Sequence, residues 1–331
     1  MKEKRDGYAI ALSWPQTYCR HANTWYDPIL STLRISQNKH YRVGHAAIVL
    51  VNKKGDSHYY DFGRYTTPYG HGRARSHETD HDLKLKTKIK RDKQNKIINF
   101  NELLQELQQK DACHGEGDLH ASYCEINFDT ANKKARELNK KPHIHYGPFT
   151  PKGTNCSRFV KTIILAGKPK LKHKLKLHIM PLTPTPQSNI HALTNKTKHK
   201  PLIQKKFDPH KVPKTQLNEN QKPPTKPNHL KQELHWLGGV GGGTWFDIKK
   251  INTQKIKATL YAPNGEKITH GIYKTKQKHD ADEVTITYPS HCEIITLTHK
   301  NKNITYTKHI KKKTKSITYK NQKQYLDEQS L

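Results

Sequence analysis

Residues 153–160 read Gly153-Thr154-Asn155-Cys156-Ser157-Arg158-Phe159-Val160, and residues 42–50 read Arg42-Val43-Gly44-His45-Ala46-Ala47-Ile48-Val49-Leu50. Together these two stretches decide the fold. The first opens an amphipathic helix, with Phe159, Val160, Ile163 and Ile164 on one stripe, and sets a cysteine in its first turn after a Gly-containing loop. The second sets a histidine at the head of an otherwise apolar strand. Free N–H groups and the positive end of a helix dipole lower a thiol pKa, and the same N–H groups can hold a developing oxyanion. A histidine close by takes or shares the proton. Cys156 is therefore the candidate nucleophile and His45 its base.

Outward from these, Gly7–Trp14 reads as a buried strand, and residues 24–36 carry the spacing of a helix. Tyr41–Asn52 and Ser57–Tyr65 flank Lys53-Lys54-Gly55-Asp56 as a β-hairpin. Residues 66–82 read as a polar loop. The runs around Leu83–Ile89 and Ile97–Phe100 suggest strands, and Asn101 and Asp129 suggest caps of two helices separated by a strand at Ala121–Phe128. Leu171–Leu182 alternates apolar with basic residues, as a strand packed on one face would.

The two stretches resemble the circularly permuted papain-like domains, which include lecithin:retinol acyltransferase-like proteins and permuted relatives of NlpC-type peptidases. Gly7–Pro15, Tyr60-Asp61-Phe62-Gly63-Arg64-Tyr65 and Asn155–Phe159 together look like a bacterial domain family of unknown function. The resemblance covers about residues 7–182 and implies a thiol site in which the histidine strand precedes the cysteine helix. It also implies an orienting polar residue on the strand after the histidine strand, where His58, Tyr60, Asp61 and Arg64 stand. A three-residue turn pairs Asn52 with Asp56, which sets Asp61 opposite Ala47. A two- or four-residue turn flips the parity and favours His58 or Tyr60. Asp61 is preferred because a carboxylate both orients the imidazole and stabilises its charged form. The expected function is a cysteine-dependent hydrolase, amidase- or peptidase-like, or an acyl transferase, working through an acyl-thioester. A catalytically inactive scaffold serving as an interaction module is the alternative.

Residues 1–186 are thus expected to form the papain-like domain. Residues 187–232, rich in Pro, Lys, Asn and Thr, read as a basic linker. Residues 233–331 carry six short β-runs at regular spacing, the pattern of a small sandwich or barrel, so the fold class is α+β with an all-β C-terminal domain. Gly238-Gly239-Val240-Gly241-Gly242-Gly243 lacks the Lys-Ser/Thr of a phosphate loop and reads as the entry to that domain. The net charge of +32 divides as +12 over residues 1–168, +11 over 169–234 and +9 over 235–331. Spread so evenly, and carried by 50 Lys against 10 Arg, it predicts non-specific electrostatic attraction to nucleic acid without a reading surface.

The expected partner is a peptide-like or acyl substrate, and the sequence implies no cofactor. His77–Asp82 and His143-Ile144-His145 lack the spacing of a strong zinc signature. Arg73 and Arg75 are candidates for binding an anionic substrate group. Five cysteines at irregular spacing fit reduced thiols and a cytoplasmic setting. No apolar run approaches the ~18–20 residues of a membrane span.

Overall fold

A computed structural model describes residues 4–21, 27–32, 36–147, 150, 152–179, 184–200, 210, 223–231, 233–277 and 284–309. The chain opens with β1 (Gly7–Trp14). A small antiparallel sheet follows, of β2 (Tyr18–Arg20), β3 (Ser36–Gln37) and β4 (His40–Arg42) in the order β2-β4-β3, with the short helix α1 (Asp27–Thr32) between its strands. The hairpin comes next, β5 (His45–Val51) and β6 (Ser57–Gly63), then β7 (His71–Ser76), α2 (Phe100–Gln109), β8 (Leu119–Ile126), α3 (Phe128–Asn139) and β9 (Ile144–His145). The domain closes with α4 (Cys156–Ala166), α5 (Leu171–Ile179), α6 (Pro186–Ala192) and β10 (Thr194–His199). Its main sheet has the order β10-β8-β1-β5-β6-β7-β9.

Because β1 and β5 lie at the centre of this sheet, both of their faces must be covered, which is why they read as continuous apolar runs. On one face Ala46, Ile48 and Leu50 meet Phe159, Val160 and Ile163 of α4, with Ala131 and Ala135 of α3 and Ile190 of α6. On the other, Ile10, Leu12, Ala47, Val49 and Tyr59 meet Leu103, Leu104 and Leu107 of α2. The hairpin turn puts Gly55 at φ +83, and a Cβ there would fall 2.3 Å from the Ile89 carbonyl, so only glycine suits the position. The resulting register pairs Ala47 with Asp61.

Several local expectations give way. Residues 71–76 form β7 rather than loop, because their arginines are buried in ion pairs and the charge hides a strand. The runs after Leu83 carry only an isolated bridge, Arg91 to Ile97, and cover the second core as irregular chain. Leu171–Ile179 is a helix in which His173 and Leu177 are buried, four residues apart, and Leu171, Leu175 and Ile179 are exposed. Its period-two sequence is overridden by docking against α4 and α6. Asn127, not Asp129, caps α3, its side chain accepting from Thr130 N–H. Of the helix expected over 24–36, only Asp27–Thr32 lies in the described residues. The expected linker carries α6 and β10 at its start, the latter pairing with β8 as the sheet edge. Most of its remainder lies outside the described residues.

The C-terminal domain is all-β and separate from the α+β N-terminal one. Its strands are β11 (His235–Gly239), β12 (Gly242–Asn252), β13 (Lys255–Tyr261), β14 (Lys267–Lys274), β15 (Thr285–His291), β16 (Ile294–His299) and β17 (Lys302–Lys308), in the order β11-β12-β13-β14-β17-β16-β15. The sheet curls round a core of Phe246, Ile256, Leu260, Tyr273, Ile295 and Tyr306 until β15 approaches β11, where the Tyr288 hydroxyl donates to the Gly238 carbonyl. The glycine run is thus not an entry loop but the tip of the β11–β12 hairpin.

Candidate active site

Asn155 has an extended backbone and its side chain accepts from Arg158 N–H, so the chain enters α4 at Cys156. His45 is the first residue of β5, which frees its ring from the strict alternation of the strand. Although α4 packs against the other face, the ring lies near enough to the α4 N-terminus for His45 and Cys156 to shift each other's ionisation, while the Cys156 thiol lies 3.8 Å from the Ser157 hydroxyl. Trp14, paired with His45 across β1 and β5, stacks on the imidazole at 6.0 Å between centroids, with an interplanar angle of 23°.

His45 Nε2 lies 3.5 Å from Asp61 Oδ2 and 3.5 Å from the Tyr65 hydroxyl, which leaves Nδ1 as the nitrogen that can serve the thiol. The structure therefore brings Cys156, His45 and Asp61 together. His58 and Tyr60 stand elsewhere: the Tyr60 hydroxyl donates to Asn132 Oδ1, and the His58 ring lies against His77 and Phe128. Asp61 is fully buried, and its carboxylate accepts four hydrogen bonds. Arg75 Nε donates to Oδ1 at 3.0 Å and Nη2 to Oδ2 at 2.6 Å, while the Tyr59 and Tyr65 hydroxyls donate to Oδ2 at 3.1 and 2.9 Å.

The electrostatics follow from this packing. Burial alone would raise the Asp61 carboxyl, but the Arg75 charge and the hydrogen bonds from His45 and Arg75 hold it well below the usual carboxylate range. Burial alone would lower His45, but hydrogen bonds to Asp61 and Cys156, and their negative charge, raise it to about 9. Burial likewise opposes ionisation of Cys156. The His45 hydrogen bond and charge, the Ala46 backbone N–H and the Ser157 side chain outweigh it and lower the thiol. The other described cysteines move the opposite way: burial pushes Cys19 up to about 11, and Cys113 and Cys124 up to about 12.

A cavity of about 830 Å³ opens beside the site, lined by His45, Cys19, Arg64, Tyr65, His114 and Tyr146 among others, with Gln105, Gln108 and Gln109 of α2 on one wall. Cys156, 7% exposed, does not itself line it. Two residues of the site escaped sequence reasoning. Tyr65 reads in the sequence only as the end of the hairpin, yet its ring is covered by the Arg75 guanidinium at 3.5 Å and its hydroxyl donates to Asp61. Arg75 stands neither in a solvated loop nor free for an anionic substrate group: it is spent on Asp61, just as Arg73 is on Asp80 in a bidentate pair. The signal for Arg75 was cross-strand pairing of opposite charges, since Asp61 and Arg75 are direct partners in β6 and β7. Among the described residues, no group of three or more His, Cys, Asp or Glu is placed to hold a metal.

No curated protein and no solved structure matches the chain. Residues 234–309 match the model of the DUF6695 C-terminal domain. Residues 9–173, just under half of the chain, match that of the type VI secretion system effector TseH-like family, and in this part the chain is similar to a papain-like group of cysteine hydrolases.

Proposed function

We propose that the N-terminal domain is a cysteine-dependent amide hydrolase acting on peptide-like substrates, with Cys156 as nucleophile, His45 as acid–base and Asp61 as the group that orients His45. The observation that carries this reading is the Cys156 thiol at the start of α4, electrostatically coupled to an imidazole whose Nε2 lies 3.5 Å from the buried Asp61 carboxylate. The two shifts favour a thiolate–imidazolium pair at neutral pH. Sγ would attack the substrate carbonyl carbon, and the Cys156 N–H at the helix start would steady the oxyanion. The imidazolium gives its proton to the leaving amine as the C–N bond breaks. Water then adds to the thioester, His45 takes its proton, and the thiolate departs. Asp61, kept anionic by Arg75, holds the ring and its charge without accepting the proton.

The description of the matched family as type VI secretion effectors favours a hydrolase that meets its substrate after export. The burial of Cys156 supports a second reading, a papain-like scaffold kept as an interaction module. Labelling with an acylating, cysteine-directed probe separates the two. The hydrolase reading expects labelling at neutral pH that Cys156→Ala abolishes and His45→Ala slows. Labelling of Cys156 no faster than of Cys113 or Cys124 overturns it.

A further inference from the structure

Val240 and Gly241 belong to the C-terminal domain, yet they line the same cavity as His45. The turn that carries them is clamped onto the segment after β6. Gly241 N–H donates to the Arg64 carbonyl at 2.5 Å, and the Thr244 and Thr66 hydroxyls lie 3.3 Å apart. Gly239 approaches so closely that a Cβ would fall 1.1 Å from the Tyr65 carbonyl oxygen. A second tether holds the other edge of the domain: Cys292 N–H donates to the Thr79 carbonyl at 3.1 Å, and His81 Nε2 lies 2.9 Å from Glu293 Oε1. The glycine run thus lets one domain's backbone lie against the other's within a residue of Tyr65, whose hydroxyl meets both Asp61 and His45.

We propose that the Val240–Gly241 turn is the specificity-determining wall of the cleft, so that the C-terminal domain selects the substrate used by the N-terminal one. The inference rests on the reading of Cys156 as the nucleophile. With the turn in place, Val240 and Gly241 bound the side of the cleft next to Tyr65, where a bulky substrate group would meet them. Gly241 is exposed and its φ lies outside the left-handed region, so a side chain there is sterically the main change, with its Cβ 3.1 Å from the Arg64 oxygen.

The test uses the full chain and measures alkylation of Cys156 by iodoacetamide and by a bulky aryl-peptide chloromethyl ketone, with adducts located by mass spectrometry. Cys19 lines the same cavity with its thiol raised to about 11, and serves as the slow internal control. Gly241→Phe is expected to slow the bulky reagent roughly tenfold or more, as steric overfilling does, while leaving iodoacetamide within about twofold. Val240→Ala, which only removes atoms, is expected to speed the bulky reagent and leave the small one unchanged. Equal changes for both reagents, or none, with a reactive Cys156 overturn the wall alone. A Cys156 unreactive to both in the parent protein overturns the nucleophile reading and the wall with it.

Discussion

Arg75 is the residue on which the charge of the site depends. It pairs with a carboxylate that has no solvent contact, so Arg75→Met would leave a buried charge uncompensated. A destabilisation of about 3–5 kcal/mol is expected in denaturant unfolding, larger than that of Asp61→Met/Arg75→Met together. Asp61→Asn should instead keep the fold and lower turnover by up to ~10⁴, the loss seen when a catalytic histidine is held in the wrong tautomer. The depressed Asp61 carboxyl stabilises the folded state above its ordinary pKa of ~3.9, and that stability is lost as pH falls through its lower folded value. Turnover has a separate limit at high pH. His45 is raised to about 9, so proton donation to the leaving amine should fail as pH climbs through that value. Alkylation of Cys156, which needs only the thiolate, should not fall there, and comparing the two pH profiles checks the assignment.

At the scale of elements, a cap and a turn set the geometry. Asn155→Ala removes the acceptor of Arg158 N–H and should cost about 1 kcal/mol by thermal or denaturant unfolding, with slower labelling of Cys156 as the first turn of α4 frays. Deleting Gly55 would shorten the turn by one residue and send Asp61 to the opposite face, so labelling should be lost even in chains that still fold. The sequence favoured this register without fixing it: three turn residues pair Ala47 with Asp61, two or four would flip the parity, and the folded hairpin has the pairing of three. The head-of-strand histidine and head-of-helix cysteine were readable, because hydrophobic periodicity and capping are local quantities. β7 was not, since Gly72, Arg73 and Arg75 look solvated until Asp61 and Asp80 are known to face them. α5 was not either, since its alternating sequence is that of a strand and only its packing neighbours make it a helix.

Across the whole molecule, lysine charge is spread over every segment, and that has a checkable consequence. Binding to duplex DNA should show no sequence preference and should fall steeply between low and physiological salt, by the counterion release of many dispersed contacts. A sequence-selective, salt-resistant complex would contradict it. No described helix is long and apolar enough to cross a membrane. By itself the sequence determined the α+β and all-β division and the strand and helix that present His45 and Cys156, and it favoured Asp61 over His58 and Tyr60 without fixing the register. Each depends on hydrophobic periodicity, turn length or capping, which are written in neighbouring residues. Only the tertiary structure decided that Arg75 and Tyr65 hold Asp61, that β10 completes the main sheet, and that a glycine hairpin from the C-terminal domain lies beside the site. Apart from the cross-strand charge pair of Asp61 and Arg75, those contacts depend on burial and on segments far apart in the chain, as with Thr66 and Thr244, 178 positions apart.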